Sequence, residues 1–337
     1  MECMDLSELA SAIKPLDLRS CLITQGDQML FEHYRNPNIV QQTAKVNSCT
    51  KSFLSALIGI AMDHRILPEA NTPITDFFPQ LLKDPDPRKR EITLEHLLTM
   101  TSGLDWTEFG GQKSFPRMTR SDDWVAFVLQ QPLSDNPGTR MEYNSGVSQL
   151  LSAILVQVSG MSTARFAEEK LFSPLGIEAY MWESDPQGIH TGGYGLYLRP
   201  ADMLKFGQLY LQQGRFEQHQ LISSERVTRS VHPYILVSSP PPCYYGWHWW
   251  AETFSAADLA GEHTEVHIEE HNASSLLPSF DYYYARGYAG QFIYNIPVLN
   301  IVVVLTDDKR KKDRHPANVF RDFIAPLLIE TINEDAL

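Results

Sequence analysis

Ser48-Cys49-Thr50-Lys51 sets a hydroxyl and an amine three residues apart. On a helix that spacing shares one face, so Lys51 Nζ reaches toward Ser48 Oγ. A serine hydroxyl is a poor nucleophile at neutral pH and needs a base beside it. A lysine serves where desolvation lowers its pKa toward neutrality. Phe53, Leu54, Leu57, Ile58, Ala61 and Met62 follow at helical spacing and supply an apolar wall. The competing reading makes Asn47 or Ser48 a helix cap and Lys51 a solvated first-turn residue. A second copy, Ser11-Ala12-Ile13-Lys14, precedes Pro15 in a polar segment with no long buried helix after it, and carries little weight.

Two further stretches bear on the same chemistry. Tyr143-Asn144-Ser145-Gly146 stands just before a strongly periodic helix. Asn144 or Ser145 can cap that helix, with Tyr143 a packing aromatic. Alternatively, a phenol beside an ammonium has its charged form favoured, and Tyr143 then passes a proton between Ser48 and a leaving group. Arg286-Gly287-Tyr288-Ala289-Gly290-Gln291 leads into a β-rich run, and its small residues let a ligand lie against strand backbone. An exposed N–H there, with that of Ser48, makes an oxyanion hole. Turn or bulge glycines explain the same residues without function.

Residues 261–272 hold His263, His267 and His271, with Glu265 and Glu269 between them. As a helix or as a strand, the segment offers imidazoles and carboxylates competent for zinc or nickel. No other Cys or His completes a ligand spacing, so the segment reads as a solvated insertion. No metal and no cofactor is expected.

The elements that position these residues are legible as patterns. Ser20 to Thr24 and Met29 to His33 flank Gln25-Gly26-Asp27 as a hairpin. A buried helix is predicted from Ser48 to about His64. Shorter helices follow over Thr93 to Met100 and Asp122 to Gln131, separated by a loop rich in Gly, Ser and aromatics. Val147, Leu150, Leu151, Ile154, Leu155 and Val158 predict a helix stopped by Gly160. Another spans Pro200 to Gln213, closed by Gly214. After a triple-proline connector at 238–242, Tyr245 to Trp250 reads as strand. Phe292 to Ile296 and Ile301 to Leu305 form a second hairpin, and Pro316 to Ile332 has helical spacing. Strands at both ends and helices between them imply one antiparallel sheet built from both termini, with a helical region inserted. The cleft between the two regions is the expected site.

Composition narrows the partners. The 337 residues weigh 38.3 kDa, with 43% hydrophobic and 20% charged, enough for a packed core. A net charge of −13 supplies no basic stripe, so nucleic acid and anionic membranes are not expected partners. The N-terminal residues 1–8 include two early acids and no apolar run, which reads as neither a secretory signal nor a membrane span. Cys3, Cys21, Cys49 and Cys243 show no paired spacing. The expectation is a soluble cytoplasmic protein acting on a small molecule.

Ser-x-x-Lys, then Tyr-x-Ser or Tyr-x-Asn, then a glycine-flanked edge strand near the C-terminus resembles the serine β-lactamase and penicillin-binding superfamily. Within it the chain is similar to class C β-lactamase-related serine hydrolases, including esterases and 6-aminohexanoate-dimer hydrolases. The resemblance covers roughly residues 17 to 330 and is supported by residues 92–103, Gly192-Gly193-Tyr194-Gly195-Leu196 and residues 202–207, which read as structural. It implies an α/β (α+β) sandwich with residues 17–75 and 190–335 in the sheet region and 76–189 mostly helical. It also implies Ser48 as acylated nucleophile, Lys51 as proton acceptor and Tyr143 as second acid/base group. The N–H groups of Ser48 and Tyr288 then form the oxyanion hole.

Two departures weigh against penicillin recognition. The Tyr-x-Asn pattern reads Tyr143-Asn144-Ser145, displacing the amide-binding asparagine, and no Lys-Thr-Gly precedes the last strands, where Ala285-Arg286-Gly287 stands. Arg286 is the substitute cation. Ser145, Asn144, Gly287, Arg286, Trp182 and Trp106 are the expected substrate-binding residues. Of the loop aromatics Trp106, Phe109, Tyr180, Trp182, Tyr245, Trp247, Trp249 and Trp250, core packing accounts for most. The leading expectation is an acyl-serine hydrolase of small esters or amides. Its rivals are a β-lactamase or D-alanyl-D-alanine peptidase, a non-catalytic ligand-binding protein of the same fold, and a metal-dependent hydrolase using the histidine segment.

Overall fold

Apolar runs from opposite ends of the chain meet in one sheet. The structure, a computed structural model, describes residues 6–109, 112–237, 243–260, 278–308 and 316–335. The main sheet comprises β1 (Ser20–Gln25), β2 (Gln28–Tyr34), β8 (Ile235–Val237), β9 (Cys243–Tyr245), β10 (Trp250–Ser255), β11 (Ser279–Gly287), β12 (Gln291–Ile296) and β13 (Ile301–Thr306). Their order is β2-β1-β13-β12-β11-β10-β9-β8, antiparallel throughout. A small sheet joins β3 (Ala44–Lys45), β5 (Leu196–Leu198) and β4 (Met181–Trp182), and β6 (Arg215–Phe216) pairs β7 (His219–Gln220).

All six residues of β13 are buried because both faces of the sheet are covered. Alternation divides them: Ile301, Val303 and Leu305 face one apolar cluster, Val302 and Val304 the other. The first cluster lies under α1 (Ser7–Ile13), α10 (Pro316–Val319) and α11 (Ala325–Asp335), the last two joined by a π turn at Phe320–Ile324. The second continues through α2 (Thr50–Asp63) and α8 (Pro200–Leu211) into the intervening helices. Those are α3 (Leu94–Leu98), α4 (Phe115–Met118), α5 (Trp124–Leu129), α6 (Ser145–Ser159) and α7 (Thr163–Ala167), with α9 (Ser224–Val231) after α8. Among the described residues no single helix is long and apolar enough to cross a membrane.

Both hairpins and the long helices follow their patterns. Gly160 closes α6 at φ 67, the left-handed conformation glycine adopts without a Cβ penalty. Tyr245 to Trp250 differs from the strand its aromatics suggest: Gly246 to Trp249 form a turn between β9 and β10. There the His248 N–H donates to the Leu98 carbonyl instead of a ladder partner, and both Trp247 and Trp249 turn into the core. The second difference concerns β12 and β11. The glycine-flanked run Phe292 to Ile296, expected at an edge, is β12 and lies inside the sheet between β13 and β11. β11 is internal too, but β10 pairs no further than Trp250 opposite Tyr284, so Ala285 to Gly287 outrun that neighbour. The 238–242 connector and the segment holding His263, His267 and His271 lie outside the described residues.

Candidate active site

Ser48 lies in a 3₁₀ turn, Asn47–Cys49, that feeds directly into α2. No side-chain cap hydrogen bond closes the start of α2, so Ser48 is not spent as a cap. Residues 50–62 of α2 are all buried, which carries Lys51 inside at 1% exposure while Ser48 stays half-buried. Lys51 Nζ stands 3.4 Å from Ser48 Oγ, 2.9 Å from Ser145 Oγ and 2.8 Å from the Gly193 carbonyl oxygen. Burial pulls the Lys51 pKa down to about 8, while Glu108 and Cys49 act in the opposite sense. An amine so placed exchanges a proton with the neighbouring hydroxyl near neutral pH.

Gly192 and Gly193 admit this arrangement. A Cβ at Gly192 would meet the Ser148 carbonyl at 1.9 Å, and one at Gly193 would meet Ser145 Oγ at 2.9 Å and Lys51 Nζ at 3.1 Å. The glycine stretch, read from sequence as structural, therefore supplies a ligand of the lysine.

Tyr143 precedes α6, with its ring centroid 4.8 Å from Lys51 Nζ. Phe109 and Trp250 both stack on it, each with centroids 6.0 Å away. Burial drives its phenol pKa well up; its hydrogen bond to Ser48 works against that, Glu108 adds to it, and Arg286 opposes it. This corrects the expectation that a nearby ammonium favours phenolate: desolvation outweighs attraction, and Tyr143 holds its proton.

Ser145 opens α6 and is the junction of the site. It accepts from Lys51, its hydroxyl donates to Glu108 Oε1, and its N–H donates to Glu108 Oε2 at 2.9 Å. Trp106 Nε1 donates to the same Oε2 at 2.7 Å. Glu108 escaped the sequence reading, since one acid in an irregular loop carries no periodicity or spacing signal. Trp106 is buried and holds that carboxylate rather than lining a cleft. Asn144 is also buried: its Oδ1 caps α6 by accepting from Gly146 and Val147, so the structure makes it a cap and not an amide-binding group. Trp182 sits between Phe172 and His190 and donates to the Thr191 carbonyl, which places it in packing away from the cluster.

The end of β11 closes the site from the sheet side. A Cβ at Gly287 would meet the Val46 carbonyl at 2.3 Å, so glycine lets the strand seat against the Ser48 turn. Asn47 Nδ2 donates to the Tyr288 carbonyl at 2.8 Å and ties the two together. Arg286 is exposed, and its charge is felt at the Tyr143 phenol. Behind Lys51, burial and then the lysine charge lower the His248 pKa to about 3, so this imidazole is neutral; its Nε2 bonds Ser148 Oγ at 3.0 Å. No group of three or more His, Cys, Asp or Glu placed to hold a metal occurs among the described residues.

Known proteins agree with this architecture. The chain is 24% identical over 225 residues to the D-alanyl-D-alanine-carboxypeptidase/endopeptidase AmpH of Escherichia coli (strain K12), covering 58% of this chain and 58% of that relative. A Bacillus anthracis protein provisionally assigned as a 6-aminohexanoate-dimer hydrolase superposes with a TM-score of 0.72 at 18% identity, over 96% of this chain and 81% of its own. An octameric penicillin-binding protein homologue from Pyrococcus abyssi gives 0.69 at 20% identity, over 96% and 78%. At these identities the superpositions speak for the fold alone. The beta-lactamase family matches residues 20–325, the whole of the sheet and everything inserted in it. This chain is a member of the beta-lactamase family, with a β-lactamase/transpeptidase-like fold.

Proposed function

We propose that this protein is a serine hydrolase that forms an acyl-enzyme on Ser48 and hydrolyses small ester or amide substrates. One observation carries the reading: a fully buried lysine amine, with its pKa lowered to about 8, faces a half-exposed serine hydroxyl at 3.4 Å. Lys51 takes the Ser48 proton as Oγ attacks the acyl carbon. The carbonyl π pair moves onto oxygen, where the N–H groups of Ser48 and Tyr288 hold it. Tyr143, a phenol that burial keeps protonated, delivers a proton to the departing alcohol or amine. The Lys51 ammonium returns its proton to the Tyr143 phenolate, so the amine is neutral again. Water then gives a proton to Lys51 as it attacks the acyl carbon, and Ser48 Oγ leaves with the proton of Tyr143, which Lys51 again restores. Ser145 and the backbone at Gly287 border the acyl group, and Arg286 stands at the open end.

A second reading, turnover of D-alanyl peptides or β-lactams, is favoured by the AmpH similarity and by Arg286 as an exposed cation for a substrate carboxylate. Assaying p-nitrophenyl acetate and butyrate, an anilide, a D-alanyl-D-alanine peptide and nitrocefin, with Ser48→Ala as control, separates the two. Esters are expected to turn over faster than nitrocefin, and Ser48→Ala is expected to abolish both turnover and fluorophosphonate labelling. Undiminished labelling of Ser48→Ala overturns the nucleophile assignment; faster turnover of nitrocefin or peptide replaces the first reading with the second.

A further inference from the structure

Counting hydrogens around Lys51 exposes a constraint that the Ser48–Lys51–Tyr143 scheme does not contain. A neutral amine has two N–H groups and one lone pair. The Gly193 carbonyl takes one N–H at 2.8 Å and Ser145 Oγ takes the other at 2.9 Å, leaving the lone pair for Ser48. This holds only while the Ser145 hydroxyl hydrogen points away from Lys51. If that hydrogen turned round, Lys51 would spend its lone pair on Ser145 and could not act as a base. Glu108 sits on the far side of Ser145, where a carboxylate can only accept. Its Oε2 is already fixed as an acceptor by the Ser145 N–H and the Trp106 indole N–H, and its Oε1 receives the Ser145 hydroxyl.

We propose that Glu108 is a positioning residue of the reaction: it sets the direction of the chain Lys51 to Ser145 to Glu108 and so reserves the amine lone pair for Ser48. The inference rests on the proposed acyl-serine chemistry. During acylation the proton leaves Ser48 Oγ for Lys51 Nζ, and the new ammonium donates to Gly193, to Ser145 and back toward Ser48. One hydroxyl then separates that ammonium from the Glu108 carboxylate, which offsets its charge where water is scarce. The other ionisable groups facing Lys51 are Cys49 on its own turn, His248 from the β9–β10 turn and the Tyr143 phenol.

Glu108→Gln tests the idea because it keeps the shape and reverses the polarity. Two N–H donors hold the oxygen of the amide at the Oε2 position, so the NH2 must face Ser145 and turn its hydroxyl toward Lys51. The expected result is a loss of about 100-fold in the acylation rate of an activated ester, with KM little changed and the thermal unfolding curve retained. Removing the negative charge also moves the ascending limb of the pH–rate profile to lower pH. In a Ser145→Ala background there is no hydroxyl to orient, so adding Glu108→Gln should cost about twofold at most. An equal loss in both backgrounds means that Glu108 merely supports its loop, and the inference falls. Acylation by Glu108→Gln at the parent's rate sinks it too. Persistent labelling of Ser48→Ala would instead remove the underlying reaction, a distinct outcome from either.

Discussion

Keeping an amine inside a protein costs free energy whenever that amine is charged. For Lys51 the drop from 10.5 to about 8 corresponds to roughly 3 kcal/mol of lost stability while both folded and unfolded forms are protonated. The sign follows from proton counting: between the two pKa values the unfolded chain binds more protons, so stability rises with pH across that window. The penalty is full below about pH 8 and is relieved by about pH 10.5. Lys51→Met is therefore expected to gain stability relative to the parent at pH 7, and most of that difference should vanish by pH 10.5. Chemical denaturation at the two pH values measures it. The same amine must be neutral to accept a proton, so kcat/KM should climb through a limb near pH 8. Because Tyr143 holds its proton well past the ordinary phenol value of 10.0, the rate should not fall again before pH 10. A profile that declines from pH 7 upward contradicts both assignments.

At the scale of elements, the site depends on how a strand end, a turn and a helix start meet. Gly287→Ala would drive a Cβ into the Val46 carbonyl, a backbone atom that cannot rotate aside. The β11 end and the Ser48 turn must then separate. Activity is expected to drop by at least about tenfold, since reacting groups tolerate little misplacement. Circular dichroism should stay native-like, and unchanged turnover would show that the contact is not needed. Asn144 offers a contrast, as its job is to hold α6 and not the substrate. Asn144→Ala is expected to cost about 1–2 kcal/mol in unfolding free energy, with Asn144→Asp restoring most of it because an aspartate also accepts from N–H groups. A large activity loss in Asn144→Asp at unchanged stability would return the residue to the site.

For the whole molecule, the sheet is a closure of chain ends: β1 pairs with β13 through six residues from Ser20 opposite Thr306 to Gln25 opposite Ile301. One face of that pairing is covered by α10 and α11, including Val319, Phe320, Ile324, Leu328 and Ile329. Deleting residues 316–337 would uncover Ile301, Val303, Leu305, Phe292 and Tyr294 together, an apolar face that water does not tolerate. The shortened chain is expected to aggregate or to expose dye-binding apolar surface, even though the proposed nucleophile lies in another layer. A soluble and active product would show that the terminal helices are dispensable.

Much of this was readable from the chain because it is local or periodic. The buried helix behind Ser48, the two hairpins, the Gly160 stop and the Ser48/Lys51 spacing all follow from neighbours a few residues apart. Tertiary structure decided what depends on desolvation and on meetings between distant segments. It turned the Tyr143 phenol away from ionisation, since burial is a property of the folded surroundings. It made Asn144 a cap, placed Trp182 in packing, and moved Trp106 to a supporting position. It also brought Gly193 and Glu108 to either side of one lysine–serine contact. The Gly193 stretch reads in sequence only as structural and Glu108 leaves no trace there, because a carbonyl is present at every position and a loop carboxylate gains meaning only from what folds against it.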